Sequence, residues 1–120
     1  MLYLDFDYSE DELGCGTFEA MASTRPEQVP AVRQEVKQVL DWAHTAFPGM
    51  RAPLDDGGEW DFYLHGQQEW TATEEIHYDA QSRELHVQLG SQGLPRHTLT
   101  LSLSGTAQFC DAFRQQFFTD

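Results

Sequence analysis

The 120 residues predict an α+β fold: an antiparallel sheet of about six strands with two helices on one face, a two-layer sandwich in the order ββαββββα. Three observations predict it. Period-two alternation of apolar and polar residues recurs before and after a central helical stretch, two segments carry a single apolar stripe at helical spacing, and the later strand-like stretches are joined by short connections. Two helices with one apolar face each are most economically packed on the same side of one sheet.

The first strand is read in "LYLDFDY", where Leu2, Leu4, Phe6 and Tyr8 alternate with Tyr3, Asp5 and Asp7. "TFEAMAS" follows with Phe18, Ala20 and Ala22 on one side and Glu19 and Met21 on the other; "SEDELGCG" between them supplies a hairpin connection. Thr24 and Glu27 have capping-box spacing, and Pro26 and Pro30 are tolerable only in a first turn. From there Val29, Val32, Val36, Val39, Ala43 and Phe47 recur at helical spacing until "FPGM" stops the helix. Trp42 falls outside that stripe, beside Glu35.

Four further strands are expected at about 59–65, 69–79, 83–90 and 96–104, joined by "GQQ", "AQS" and "SQGLP", as an antiparallel meander. Glu74 breaks the alternation of Trp70, Ala72, Ile76 and Tyr78, which predicts a bulge or an edge there. A last helix begins at Thr106, a suitable N-cap, with Phe109, Cys110, Phe113 and Phe117 on one stripe. The length fits one domain, residues 1–120, and no repeat or composition shift marks a second.

Charge is the strongest compositional signal: twenty acids against seven bases give −13. Such a field repels nucleic-acid phosphates and anionic membranes and attracts basic proteins or cations, although it serves solubility equally well. Residues 1–24 and 52–82 hold no Lys or Arg at all. No apolar run reaches the roughly 18–20 residues of a membrane span, and "MLYLDFDYSEDE" is acidic where a signal peptide is basic, so the cytoplasm is the expected compartment. Cys15 and Cys110 form neither a CxxC pair nor a disulfide framework; Cys15 reads as turn packing and Cys110 as core. Nothing in the chain specifies a cofactor.

If both helices cover one face, the outward strand residues share the other. The partner-binding residues expected from this surface are Tyr3, Asp5, Asp7, Glu19, Met21, Asp61 and Tyr63, with Trp42 from the helix as an aromatic anchor. Trp60 and Trp70 read as core or core margin. In "EEIHYDAQSRELHV", Glu75, His77, Glu84 and His86 should also point outward, with His77 opposite Glu84 or His86 according to turn length, a spacing of about 5 Å that permits a shared divalent ion. A solvated sheet face uses the same residues.

Three functions of different class follow. The favoured one is a non-enzymatic binding or regulatory module that engages a basic protein, as inhibitors, immunity proteins, antitoxins and export chaperones do. The second is a metal-binding domain or metal-dependent enzyme built on Glu75, His77, Glu84 and His86. The third is a small-molecule binder with a pocket between sheet and helices. A homodimer through the exposed face or a free strand edge is compatible with each.

Overall fold

In a computed structural model, which describes residues 1–118, the chain is α+β, with two helices and six strands in two antiparallel sheets. The strands are β1 (Asp7–Glu10), β2 (Gly16–Thr24), β3 (Trp60–Glu69), β4 (Ala72–Asp79), β5 (Glu84–Gln92) and β6 (Arg96–Gly105); the helices are α1 (Val29–Ala46) and α2 (Ala107–Phe117). The larger sheet has the order β1-β2-β6-β3, and β4 pairs with β5 alone.

The expected meander is therefore corrected. β3 does not pair with β4; it pairs with β6 along its whole length, from Trp60 opposite Gly105 to Glu69 opposite Arg96. The β4–β5 ladder then continues outward from Ala72 opposite Gln92 to Asp79 opposite Glu84. Residues 60–105 thus form one long ribbon, interrupted at 70–71 and 93–95, that reverses direction once. "GQQ" is not a turn: Gly66, Gln67 and Gln68 lie within β3, opposite Leu99, Thr98 and His97. The one tight reversal is at 80–83, where the Asp79 carboxylate accepts from the Gln81 amide (2.9 Å) and Arg83 adopts a φ of 57°. A register shift between Ala72 and Glu74 occupies the place expected for a bulge.

The outer part of this ribbon is an arm standing clear of the body. The molecule measures 72 × 29 × 27 Å with a radius of gyration of 21.5 Å, against roughly 14 Å for a compact chain of this length.

The core lies in the body. Phe18, Ala20 and Ala22 of β2, Leu101 and Leu103 of β6 and Trp60 of β3 join Val32, Val36, Val39 and Ala43 of α1 and Phe109, Cys110 and Phe113 of α2 in one cluster. Trp60 and Phe109 stack nearly parallel at 5.6 Å, and the Trp60 indole N–H donates to the Phe47 carbonyl (3.5 Å). Thr106 caps α2 as its sequence predicts, accepting from the Phe109 amide, while its hydroxyl donates to Glu59 (2.6 Å). At the start of the first helical segment the reciprocal pair is Arg25 with Gln28, one residue later than the Thr24–Glu27 spacing: the Arg25 amide donates to Gln28 Oε1 (3.1 Å) and the Gln28 amide to the Arg25 carbonyl (3.0 Å). Thr24 is buried instead.

The first strand is shorter than its alternation predicts, and the cause is specific. The backbone N–H groups of Leu2, Tyr3 and Leu4 all donate to the Glu35 carboxylate on α1, at 3.2, 3.2 and 3.0 Å. Three amides that would otherwise extend a ladder are satisfied by one side chain, so pairing with β2 begins only at Asp7. Glu35→Ala is expected to release this segment at a cost of about 1–3 kcal/mol, read as lower stability in urea and faster amide exchange at Leu2, Tyr3 and Leu4.

Candidate functional site

Two separate surfaces carry most of the residues singled out from the sequence. On the body, the face of the larger sheet turned away from the core is ordered by cross-strand register. One row runs Asp7, Glu19, Ser102, Tyr63; the next sets Met21, Thr100 and His65 side by side; a third sets Thr17, Ser104 and Asp61. Met21 and Tyr63 are 63% and 62% exposed, and Tyr63 lies parallel to His65 at 6.2 Å. Between these side chains are short hydroxyls, such as the Thr17–Ser104 pair at 3.5 Å. The result is a low polar floor with an aromatic and a thioether standing above it.

Asp7 and Glu19 are directly opposed across β1 and β2, where like charges are destabilising. Neither carboxylate has an ion-pair partner among the described residues. Asp61, by contrast, is held by Arg51 at 3.1 Å, which quenches its charge at the rim.

Three of the expected partner-binding residues lie elsewhere. Tyr3 precedes β1 and packs against the core, because its amide is drawn to Glu35. Asp5 is exposed but outside the sheet, beside Phe6, Phe117 and Phe118. Trp42 packs among Phe47, Phe109, Phe113 and Phe117 at 5.4–6.3 Å, so its ring belongs to the core margin and is only partly exposed. Trp70 departs from its expected role in the opposite sense: it sits at the break in the ribbon, 52% exposed.

The second surface is the arm. His77 is directly opposite His86, Glu75 opposite Gln88 and Asp79 opposite Glu84, so Glu75, His77, Glu84 and His86 do share one face. They share it away from the body sheet, not with it. The imidazoles are neighbours, but the carboxylates are spread along the ladder, and among the described residues no group of three or more His, Cys, Asp or Glu side chains is gathered for a metal ion. The arm's other face was expected to be buried and is not. Ile76 opposite Val87, Tyr78 opposite Leu85, and Leu89 opposite Glu74 are all more than half exposed on the apolar side. Alternation identified this face correctly, but it could not show that nothing among the described residues covers it.

A cleft of about 510 Å³ opens where the first turns of α1 leave the far end of β3 and β6 uncovered, lined by Val29, Val32, Arg33, Trp70, His97 and Leu99. It is the pocket between helix and sheet that the third reading requires. The cysteines carry no comparable setting: the Cys15 amide is tied to Asp11 in the β1–β2 turn (3.0 Å), and the Cys110 thiol is buried, donating weakly to the Gly105 carbonyl (3.5 Å), with burial pushing its pKa up.

No family model, curated protein or solved structure matches this chain. Its function is therefore argued from these surfaces alone.

Two expectations test the electrostatics. Glu19→Gln removes the like-charge opposition with Asp7 and should stabilise the fold by about 0.2–1 kcal/mol, measured by urea unfolding at low salt, with the gain shrinking as salt rises. At the arm tip, amide donors from Gln81 and then Ser82 hold the Asp79 carboxyl below the usual aspartate range. A depressed folded pKa stabilises the turn above the unfolded value of about 3.9 and loses that contribution as pH falls through the folded one. The Gln81 and Ser82 amide resonances should accordingly follow a titration midpoint below about 3.9.

Proposed function

We propose that this protein is a non-enzymatic binding module that engages a basic protein through the outer face of its larger sheet. The observation that carries the reading is the Asp7–Glu19 pair: two carboxylates directly opposed, with no ion-pair partner among the described residues, in a row that ends at an exposed tyrosine. A Lys or Arg from a partner placed between them converts a repulsion into two charge-assisted contacts, so the free protein is destabilised where the complex is stabilised. Met21 and Tyr63 supply apolar and aromatic contact beside the charged row, the composition of an interface centre. The net charge of −13 adds long-range attraction, which raises association rates. Inhibitors, immunity proteins and chaperones of basic proteins are the kinds of module that use such a surface.

The cleft beside Trp70 supports a second reading, a small apolar or aromatic ligand held between α1 and β6, with Arg33 and His97 at hand for a polar or anionic group. It is distinguishable, because its occupant would quench or shift Trp70 fluorescence and leave Asp7 and Glu19 unaffected.

Immobilised protein in a lysate of its own organism should retain a basic protein in stoichiometric amount and release it as salt rises. Reversing both charges, Asp7→Lys with Glu19→Lys, should weaken capture by about tenfold or more, whereas Glu12→Lys in the β1–β2 turn should alter it little. Retention unaffected by the double reversal would exclude this face.

A further inference from the structure

We propose that the apolar face of the β4–β5 arm is the interface of a symmetric dimer, in which two copies of the chain lay their arms face to face and antiparallel. Ile76, Tyr78, Leu85, Val87 and Leu89 form one contiguous surface, 56–70% exposed residue by residue. In the body, the even-numbered residues Trp60 and Phe62 of the same ribbon lie against the helices; on the arm, the even-numbered Ile76 and Tyr78 have no such cover. A two-stranded hairpin with one bare apolar face is marginal by itself and gains stability by packing that face on another layer.

A second copy fits as that layer on three counts. An isologous interface needs one patch that complements itself. With a twofold axis over the Ile76–Val87 rung, the Tyr78–Leu85 rung of each copy lies on the Glu74–Leu89 rung of the other, so large side chains meet the position where one strand offers a longer polar one.

Area is the second count. The exposed apolar surface on each arm is on the order of 600 Å², so two arms bury about 1,200 Å², the lower end of specific interfaces.

Charge is the third. Arg83, at the tip, is the sole Lys or Arg between residues 72 and 92, and Glu74 is the acid that intrudes on the apolar face near the base. Antiparallel arms bring the tip of one copy over the base of the other, placing Arg83 within reach of the second copy's Glu74 at both ends. The acidic bodies meanwhile sit beyond opposite ends of the paired arms. Each arm is about 26 Å long at 3.3 Å per residue, some three Debye lengths at physiological salt, so the net charge of the bodies scarcely opposes association.

The proposal does not depend on the outer sheet face, and its test is separate. Sedimentation velocity over a concentration series should show the wild-type chain passing to twice its monomer mass. Val87→Lys and Ile76→Asp should each abolish the heavier species while near-UV circular dichroism, reporting the body's aromatic core, is retained. Arg83→Glu should weaken the dimer at least about tenfold, and adding Glu74→Lys to it should restore association. A wild-type chain still monomeric at about 100 μM, or a dimer that survives Val87→Lys, would overturn the interface. Failure of the Glu74→Lys, Arg83→Glu pair to recover would overturn the antiparallel arrangement.

Discussion

Both edges of β6 are occupied, and β2 and β3 are held in place by that one strand. Each residue from Arg96 to Gly105 faces β3, and all but the first face β2 as well. The outer edges of β1 and β3 carry no strand among the described residues; β4 and β5 instead run on from β3 and β6 and pair with each other beyond the end of the sheet. The arm is thus the continuation of the β3–β6 ladder past the residues that β2 covers. Gly105 is fixed by the same strand: it lies opposite both Gly16 and Trp60, and a Cβ there would run into the Phe109 ring, so the close approach of α2 to the sheet requires glycine at that point.

The surface divides into two chemistries that the fold keeps apart. The body face carries unneutralised carboxylates beside isolated large side chains, suited to charge complementarity. The arm carries continuous apolar surface, suited to exclusion of water. Desolvating Asp7 or Glu19 without a cation would be costly, whereas burying Leu85 or Val87 needs no particular partner atom, only shape. These surfaces therefore place different demands on what meets them.

Local patterns were legible in the sequence where they were strong. The stripes of α1 and α2, the alternation of β2 and β6, the Thr106 cap and the irregularity near Glu74 all appear in the structure at or near their expected places, because each is set by neighbours within a few residues. Non-local pairing was not legible. Gly66 and its glutamines resemble a loop in composition, yet they continue β3 because Leu99, Thr98 and His97 are opposite to receive them. Likewise the alternation of Leu2, Leu4 and Phe6 marks a strand, but Glu35, more than thirty residues away, removes the amides that a strand would need. Of the residues expected to bind a partner, Asp7, Glu19, Met21, Asp61 and Tyr63 share one sheet face because alternation is a reliable guide to face. Tyr3, Asp5 and Trp42 do not, since their positions depend on tertiary contacts with Glu35 and the phenylalanines of α2.

The long ribbon also sets the entropy of assembling the sheet. Closing the 80–83 turn brings Asp79 and Glu84 together across a minimal loop, and every further rung toward Trp60 and Gly105 extends an existing ladder instead of opening a new loop. Joining β2 to β6 is a different matter: Thr17 and Ser104, neighbours in the sheet, are 87 residues apart in the chain. That registration closes a far longer loop than the 80–83 turn does, and it is also what seals Phe18 against Phe113 at 4.2 Å. A chain in which 60–105 has zipped but β2 has not yet docked would expose one edge of β6 and the inner side of the sheet, the combination most prone to pairing with the wrong strand. Six acids and no Lys or Arg among residues 1–24 make like segments of neighbouring chains repel one another, which opposes that error.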